Sequence, residues 1–390
     1  MPLLTALALP LVAWSVIALT FRQPIIHDVP VVVVDHSNSP LSRTLIRNLD
    51  ATQVLRVANV SSEEESTLET VRRGEAILGV VIPRDFHRDV VGGVSSEVTI
   101  LANGAQLLYS KVAYRSVATS VTTLSAGIQI RRMQATGMAS DEAYARAVPV
   151  QTTIHAPGNS WYDYGIYLIP SMAMAILQMS VSFSALWLFR EHGDRNTVLL
   201  PTRGSSALGV LLARGLPIIA ANLLAVVLLF LVIFPMAGIP YVPAFFSLFW
   251  RTTLFVLVCV GMGSFLSLIS NDLVLATQVA LVINAPAFVF SGFTFPRWAM
   301  PDAVRALASM IPLTHFLDGL VPLLMYNANV WTGIPGLLLF LVLFWGGVVL
   351  LTGAAGDRLR ALTHRFTERL FPTRAMLASV PAGHDRETER

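Results

Sequence analysis

The residues of this chain that could do chemistry are few and poorly spaced for catalysis. His27, His36, His87 and His155 are scattered, with no paired spacing that would hold zinc. Asp35 and His36 adjoin at what reads as a strand end, where a hydrolytic pair could stand; the same residues equally suit a solvated turn. Asn59-Val60-Ser61 matches a glycosylation acceptor, a triplet that also arises often by chance. Lys111 is the only lysine, and Leu108-Tyr109-Ser110-Lys111-Val112 carries no glycine loop before it. A nucleotide-hydrolysing phosphate loop needs a Gly-rich turn ending in Lys and Ser or Thr, so this chain holds no such engine. Cys259 stands alone in an apolar run, which excludes a disulfide framework within one chain and points to a small buried hydrophobe. No cofactor or metal is expected in this chain.

Ionisable groups deep in apolar runs are equally sparse. Arg251 precedes one such run and is expected to reach for the outer interface, as long basic side chains do. Inside the runs the polar residues are neutral: Gln178, Asn222, Gln278 and Asn284, which suit ties between helices better than a conduction path. Proton or sodium coupling usually needs intramembrane charges, so it is not expected. No paired Asp, Ser-His or His-Glu zinc pattern supports an intramembrane enzyme.

The elements that must position these residues are apolar spans. A crossing helix needs about 20 mostly apolar residues. Leu3 to Phe21, Tyr164 to Phe189, Leu208 to Phe234, Thr252 to Ile269, Leu273 to Phe293 and Gly333 to Leu351 meet that length. At 54% hydrophobic and 13% charged over 390 residues, the composition agrees. The expected fold is mainly α: a polytopic membrane protein of about six transmembrane helices, with an α/β (or α+β) domain inserted after the first. Residues 1–22 form the first span and 23–160 the soluble domain with a long helix. Residues 161–352 form five further spans, and 353–390 a basic tail.

Arginine placement orients the chain. Arg190, Arg195, Arg203 and Arg214 follow the second span, and Arg358, Arg360, Arg365, Arg369 and Arg374 follow the last. An even number of spans separates the two clusters, so both fall on the cytoplasmic side and the soluble domain lies outside. Arg22 just beyond the first span disagrees, which suggests a start codon placed late and a missing basic segment. The first span lacks a basic leader and is read as an uncleaved anchor.

In the soluble domain, Val29 to Val34 is a β-branched run ended by Asp35, Asn38 and Pro40. Leu41 to Leu49 has helical spacing, with Ser39 as cap and Pro40 at the first helical position. Val54 to Val60, Ala76 to Ile82 and Val98 to Ala102 read as strands, and Val148 to Ile154 as a returning one. Ser61 or Ser62 is expected to cap a helix with an acidic first turn, ended by Gly74. Ala105 to about Met138 reads as a long helix.

Two stretches carry a resemblance. The first is Phe189-Arg190-Glu191-His192-Gly193-Asp194-Arg195. The second is Ser291-Gly292-Phe293-Thr294-Phe295-Pro296-Arg297-Trp298-Ala299-Met300-Pro301, followed by Ile311-Pro312-Leu313-Thr314-His315-Phe316. Together with the domain opening VPVVVVDHSNSPLSRTLIRNLD and the later RRGEAILGVVIPRDFHRDV, they resemble the membrane subunits of type 2 ABC exporters. The likeness is to the bacterial branch with a large periplasmic domain after the first span. There are departures. Gly193-Asp194-Arg195-Asn196 stands where the family usually has Gly-Thr-x-Glu, and Ala156-Pro157 and Pro170-Ser171 replace Asn-Pro and Pro-Gly.

The resemblance implies an inner-membrane permease with cytoplasmic termini and no nucleic-acid partner. It would work in membrane lipid as a homodimer or with a sister permease, beside an ABC ATPase that binds ATP and Mg. A periplasmic adaptor and outer-membrane channel are further partners it suggests. Arg190, Glu191, His192 and Gly193 would form the docking helix for the ATPase. Gly292, Phe295, Pro296, Met300, Pro301, Pro312 and His315 would belong to a partly re-entrant hairpin, 292–325, sealing the outer mouth. Proline breaks the helices there, leaving Val304 to Met310 and His315 to Met325 as runs too short to span; a helix lying flat in the interface is the plainer alternative. His315 and Asp318, three apart, suggest a local pair. The rival reading of the whole chain is a membrane-anchored sensor or scaffold whose outer domain binds a ligand or partner.

Overall fold

The computed structural model describes residues 2–20, 26–149, 164–188, 211–239, 244–270, 272–326 and 331–352. The chain divides into a helical unit, residues 1–24 and 156–390, and an α/β unit, Ile25–His155. Helix α1 (Pro2–Thr20) opens the helical unit.

The α/β unit begins with β1 (Val29–Asp35), whose valines are buried on both faces, the pattern of a central parallel strand. Asp35 then turns the chain: one carboxylate oxygen accepts from the backbone of Ser37 and Asn38, at 3.0 and 2.9 Å, and the other accepts from the Ser42 hydroxyl at 2.7 Å. The carboxylate is thereby committed to the turn, and the plainer reading of Asp35 and His36 holds. Ser39 and Ser42 form a capping box at the start of α2 (Pro40–Asp50), with Pro40 in the first turn. β2 (Leu55–Ser61) and α3 (Glu64–Arg72) follow. The cap of α3 differs from expectation. Ser61 accepts from the Glu63 amide at 3.0 Å, and Glu63 itself occupies the N-cap without a side-chain bond. The acidic first turn of Glu64 and Glu65 meets the helix dipole instead.

β3 (Leu78–Ile82) returns beside β1, then come α4 (Phe86–Gly92), β4 (Thr99–Ala102), the long α5 (Leu107–Ala135) and α6 (Ser140–Ala147). The strand order is β2-β1-β3-β4, with β4 antiparallel to β3 and the others parallel. Val29, Val31 and Val33 pack with Leu45, Phe86 and Val117 on one side of the sheet, while Val32 meets Val71 and Ala76 on the other. The expected return strand does not form at Val148 and Pro149, and the remainder of it lies outside the described residues.

Among the described residues, five helices of the other unit are long and apolar enough to cross a membrane. They are α7 (Gly165–Ala185 within Tyr164–Ala185), α8 (Ala213–Met236), α9 (Phe245–Ile269), α10 (Leu273–Phe290) and α13 (Ile334–Thr352). Between α10 and α13 lie α11 (Asp302–Ser309) and α12 (Pro312–Tyr326). This pair counts as a sixth apolar element if it is one broken span: its axes bend by 89°. The chain is therefore mainly helical with five to six apolar helices, consistent with a polytopic membrane protein.

The centre of this unit is α9, buried over 78% of its apolar window against 28% for α10 and 22% for α13. Glycines let its neighbours come close. A Cβ on Gly263 would overlap the Ser182 carbonyl of α7, and one on Gly261 would stand 2.8 Å from the Trp345 indole nitrogen of α13. The space beside Gly261 is what lets Trp345 Nε1 donate to the Leu257 carbonyl at 2.9 Å. Ser267 donates to the Leu186 carbonyl at 2.7 Å, and Trp14 of α1 to the Ala173 carbonyl of α7 at 2.9 Å. Small residues and interhelical hydrogen bonds are the usual adhesives where lipid removes the hydrophobic drive between helices. Gln178 and Asn284 join α7 to α10 at 2.9 Å, as expected of neutral polar ties. Asn222 instead bonds back to Ile218 in its own helix, and Gln278 is exposed.

Candidate functional site

Among the described residues of the helical unit, the closest packing of distant elements collects at a buried cation, Arg251. Arg251 was expected at an interface, but α9 begins at Phe245 and the guanidinium lies one and a half turns inside it, fully buried. The six residues before it are largely aromatic and apolar, so the helix extends through them, and the charge is satisfied within protein. Arg251 Nη1 donates to the Thr332 carbonyl at 2.8 Å and Nη2 donates to the same oxygen. The guanidinium also lies over the Phe316 ring, 5.9 Å from its centroid. Nε has no partner among the described residues.

The other side of the cradle is α12. Gly319 has no side chain, and a Cβ there would overlap the guanidinium. Phe316 packs on Phe255 at 4.5 Å, one turn beyond Arg251 on α9. Gly333, with φ +77°, and Gly336 bring the start of α13 against His315, since a Cβ on either would overlap the His315 carbonyl or ring. One arginine thus joins α9, α12 and the segment leading into α13.

The stretch 292–312 is fastened around this point. Gly292 takes φ +88°, and a Cβ there would meet Arg297 Cγ at 2.6 Å. Tyr167 of α7 stacks on Phe293 at 4.2 Å and donates its hydroxyl to the Phe293 carbonyl at 2.7 Å. Pro296 precedes a short 3-10 turn, Arg297–Ala299, and Pro301 precedes α11. Met300 is buried, while Phe295 and Trp298 are exposed. Thr314 donates to the Ala308 carbonyl at 2.7 Å across the bend, next to Pro312 at the start of α12. The suggested His315–Asp318 pair is not formed. Asp318 binds Arg297 at 2.7 Å, and His315 Nε2 lies 2.9 Å from the Ser309 carbonyl. The pairing follows reach: Arg297, released by Gly292, extends to Asp318, while the imidazole is held against α11 and α13.

Gly292, Pro296, Met300, Pro301, Pro312 and His315 therefore share one folded segment, with Phe295 on its surface. Arg190, Glu191, His192 and Gly193 lie outside the described residues. Sequence reasoning misplaced Arg251 and missed Gly319. The signal was present as an arginine flanked by Phe245-Phe246-Ser247-Leu248-Phe249-Trp250 and Thr252 to Val256, which reads as continuous helix once the charge has a partner. Among the described residues no group of His, Cys, Asp and Glu could hold a metal ion.

A profile described as ABC-2 family transporter protein matches residues 2–353, nearly the whole chain. The chain belongs to the ABC-2 transporter family. Among curated relatives, the probable multidrug ABC transporter permease YbhS of Escherichia coli K12 is 27% identical over 300 residues, covering 74% of this chain and 73% of that protein. The inner membrane transport permease YhhJ of the same strain is 20% identical over 293 residues, covering 74% and 75%. No solved structure matches. ABC-2 permeases are membrane subunits that work with an ATPase partner, which fits a chain with one lysine and no phosphate loop.

Proposed function

We propose that this chain is the permease subunit of an ABC exporter. It would move an amphiphilic, drug-like or lipid-like substrate outward across a bacterial inner membrane, with both termini in the cytoplasm. The family match over residues 2–353 carries the reading, and the multidrug label of YbhS supports the substrate class. The α/β unit, Ile25–His155, is assigned to the periplasm on the arginine distribution, as the branch with a large domain after the first span requires. Two copies, or one copy and a sister permease, would pair around the path, and a periplasmic adaptor and outer-membrane channel would continue it.

Energy would enter at the loop after α7. Glu191 would pair with or cap groups on the ATPase, and Gly193 would allow the sharp turn out of the membrane. The bent pair α11–α12 would act as the outer gate. Its support is the Arg251 cradle: the guanidinium of the central helix packs against Gly319 and Phe316 of α12 and donates to the Thr332 carbonyl beyond it, so protein surrounds this stretch, as irregular backbone at membrane depth needs. No observation favours the sensor reading over this one.

The test is ATP-driven transport in vesicles holding the permease and its ATPase. Glu191→Ala is expected to leave membrane insertion intact and to abolish transport while ATP hydrolysis continues. Full transport by that variant would sink the coupling assignment.

A further inference from the structure

The α/β unit holds a cavity of its own, lined by residues between Leu45 and Arg132. Its volume is about 330 Å³, at the lower end of ligand-site sizes. Leu45, Phe86, Val90, Val121, Leu124 and Ile128 form its apolar wall, drawn from α2, α4 and α5. Leu45 and Phe86 are buried and make the floor. Towards the exposed rim the lining turns polar, with Ser95, Ser125, Gln129 and Arg132.

The rim is held by local geometry. α4 ends at Gly93, φ +85°, where Val94 N–H donates to the Asp89 carbonyl at 2.8 Å and Gly93 N–H to the Val90 carbonyl at 3.4 Å. This pair of bonds is the usual left-handed helix stop. Arg132, forty-two residues on, also donates to the Val90 carbonyl and so fastens α5 to that turn. No carboxylate pairs with Arg132 among the described residues, and the lining contains no acidic side chain. An apolar pocket with one cation and several hydroxyl and amide groups at its rim matches a particular chemistry. It suits a single alkyl chain ending in an anionic head.

We propose that this cavity binds a free single-chain acidic amphiphile, its chain between α4 and α5 and its head on Arg132. The volume favours one chain over a two-chain lipid, and the uncompensated positive charge favours an anion over a cation. The proposal concerns a binding site in the α/β unit and holds whether or not the exporter reading does.

The test is photolabelling of the full-length protein in nanodiscs of zwitterionic lipid, with a diazirine-bearing alkyl carboxylate and the alkyl amine of equal length. Labelled peptides are then mapped by mass spectrometry. The carboxylate is expected to mark residues 90–98 and 121–132, with the amine marking them roughly tenfold less, as loss of a charge-assisted bond implies. Arg132→Gln should lower carboxylate labelling by a similar factor, and Arg132→Lys should recover most of it. Ser125→Trp, at an exposed rim position, fills the entrance without touching the floor and should block labelling in a folded protein. Labelling confined to the membrane spans, or equal labelling by both probes, would overturn the proposal. So would loss of the carboxylate label when the disc is rebuilt with anionic two-chain lipid in place of the zwitterionic lipid, which would assign the site to bilayer headgroups.

Discussion

Arg251 and Gly319 occupy a single volume, and either residue alone makes no sense. A guanidinium buried in an apolar helix needs backbone acceptors, and it reaches Thr332 only because α12 presents hydrogen where a methyl would stand. Gly319→Ala is expected to cost about 1–3 kcal/mol by overpacking, read as a lower melting temperature in detergent. Combining it with Arg251→Met removes the overlap. The double variant should therefore be less damaged than the two single effects summed, with a coupling of at least about 1 kcal/mol; simple additivity would refute the shared volume. The Arg297–Asp318 bond is partly exposed, at 35% and 25% of the two side chains, so screening reduces its worth to about 1 kcal/mol or less. Asp318→Asn should thus change transport more than stability if the bent pair gates the path. Equal, small effects on both would assign the ion pair a role in packing alone.

The elements differ in how much of them local sequence can reveal. β1 and β3 were legible because β-branched runs stop at turn-forming residues, and α2 because Ser39 and Pro40 mark its start. α6, eight residues of Ser140–Ala147, is too short for a periodic signal and was not foreseen. The start of α9 was set seven residues late, because a charge in an apolar run looks like an end until its acceptor, eighty-one residues away, is known. The helical glycines were also silent in sequence, and they are not equivalent. Gly127 of α5 has open space where a Cβ would be, so Gly127→Ala should stabilise the α/β unit by about 0.5–1 kcal/mol. Gly261→Ala presses on Trp345 and should cost the α9–α13 contact instead. Thermal melts of the two variants, moving in opposite directions, would verify the distinction; two shifts of one sign would contradict it.

At the scale of the molecule, the break that separates α11 from α12 was legible as an interrupted apolar stretch, through Pro301 and Pro312. What fastens the chain around it was not, since Arg251, Tyr167 and Thr332 come from three distant places in the chain. Orientation is open to direct measurement, because the one native cysteine, Cys259, is buried. Ser95→Cys is expected to react with a membrane-impermeant maleimide in spheroplasts, and Thr367→Cys only after lysis. The reverse pattern would invert the proposed topology.

Trp14 and Ala173 meet across 159 residues. Everything between them has to be synthesised before α1 finds α7, and at ordinary translation rates that takes on the order of ten seconds. During that time α1 is without its neighbour, while the intervening α/β chain collapses on its own. Assembly of the bundle is therefore a late event, gated by production of the inserted unit. A lesion that delays the sheet should first be noticed as an orphaned helix, cleared by membrane quality control.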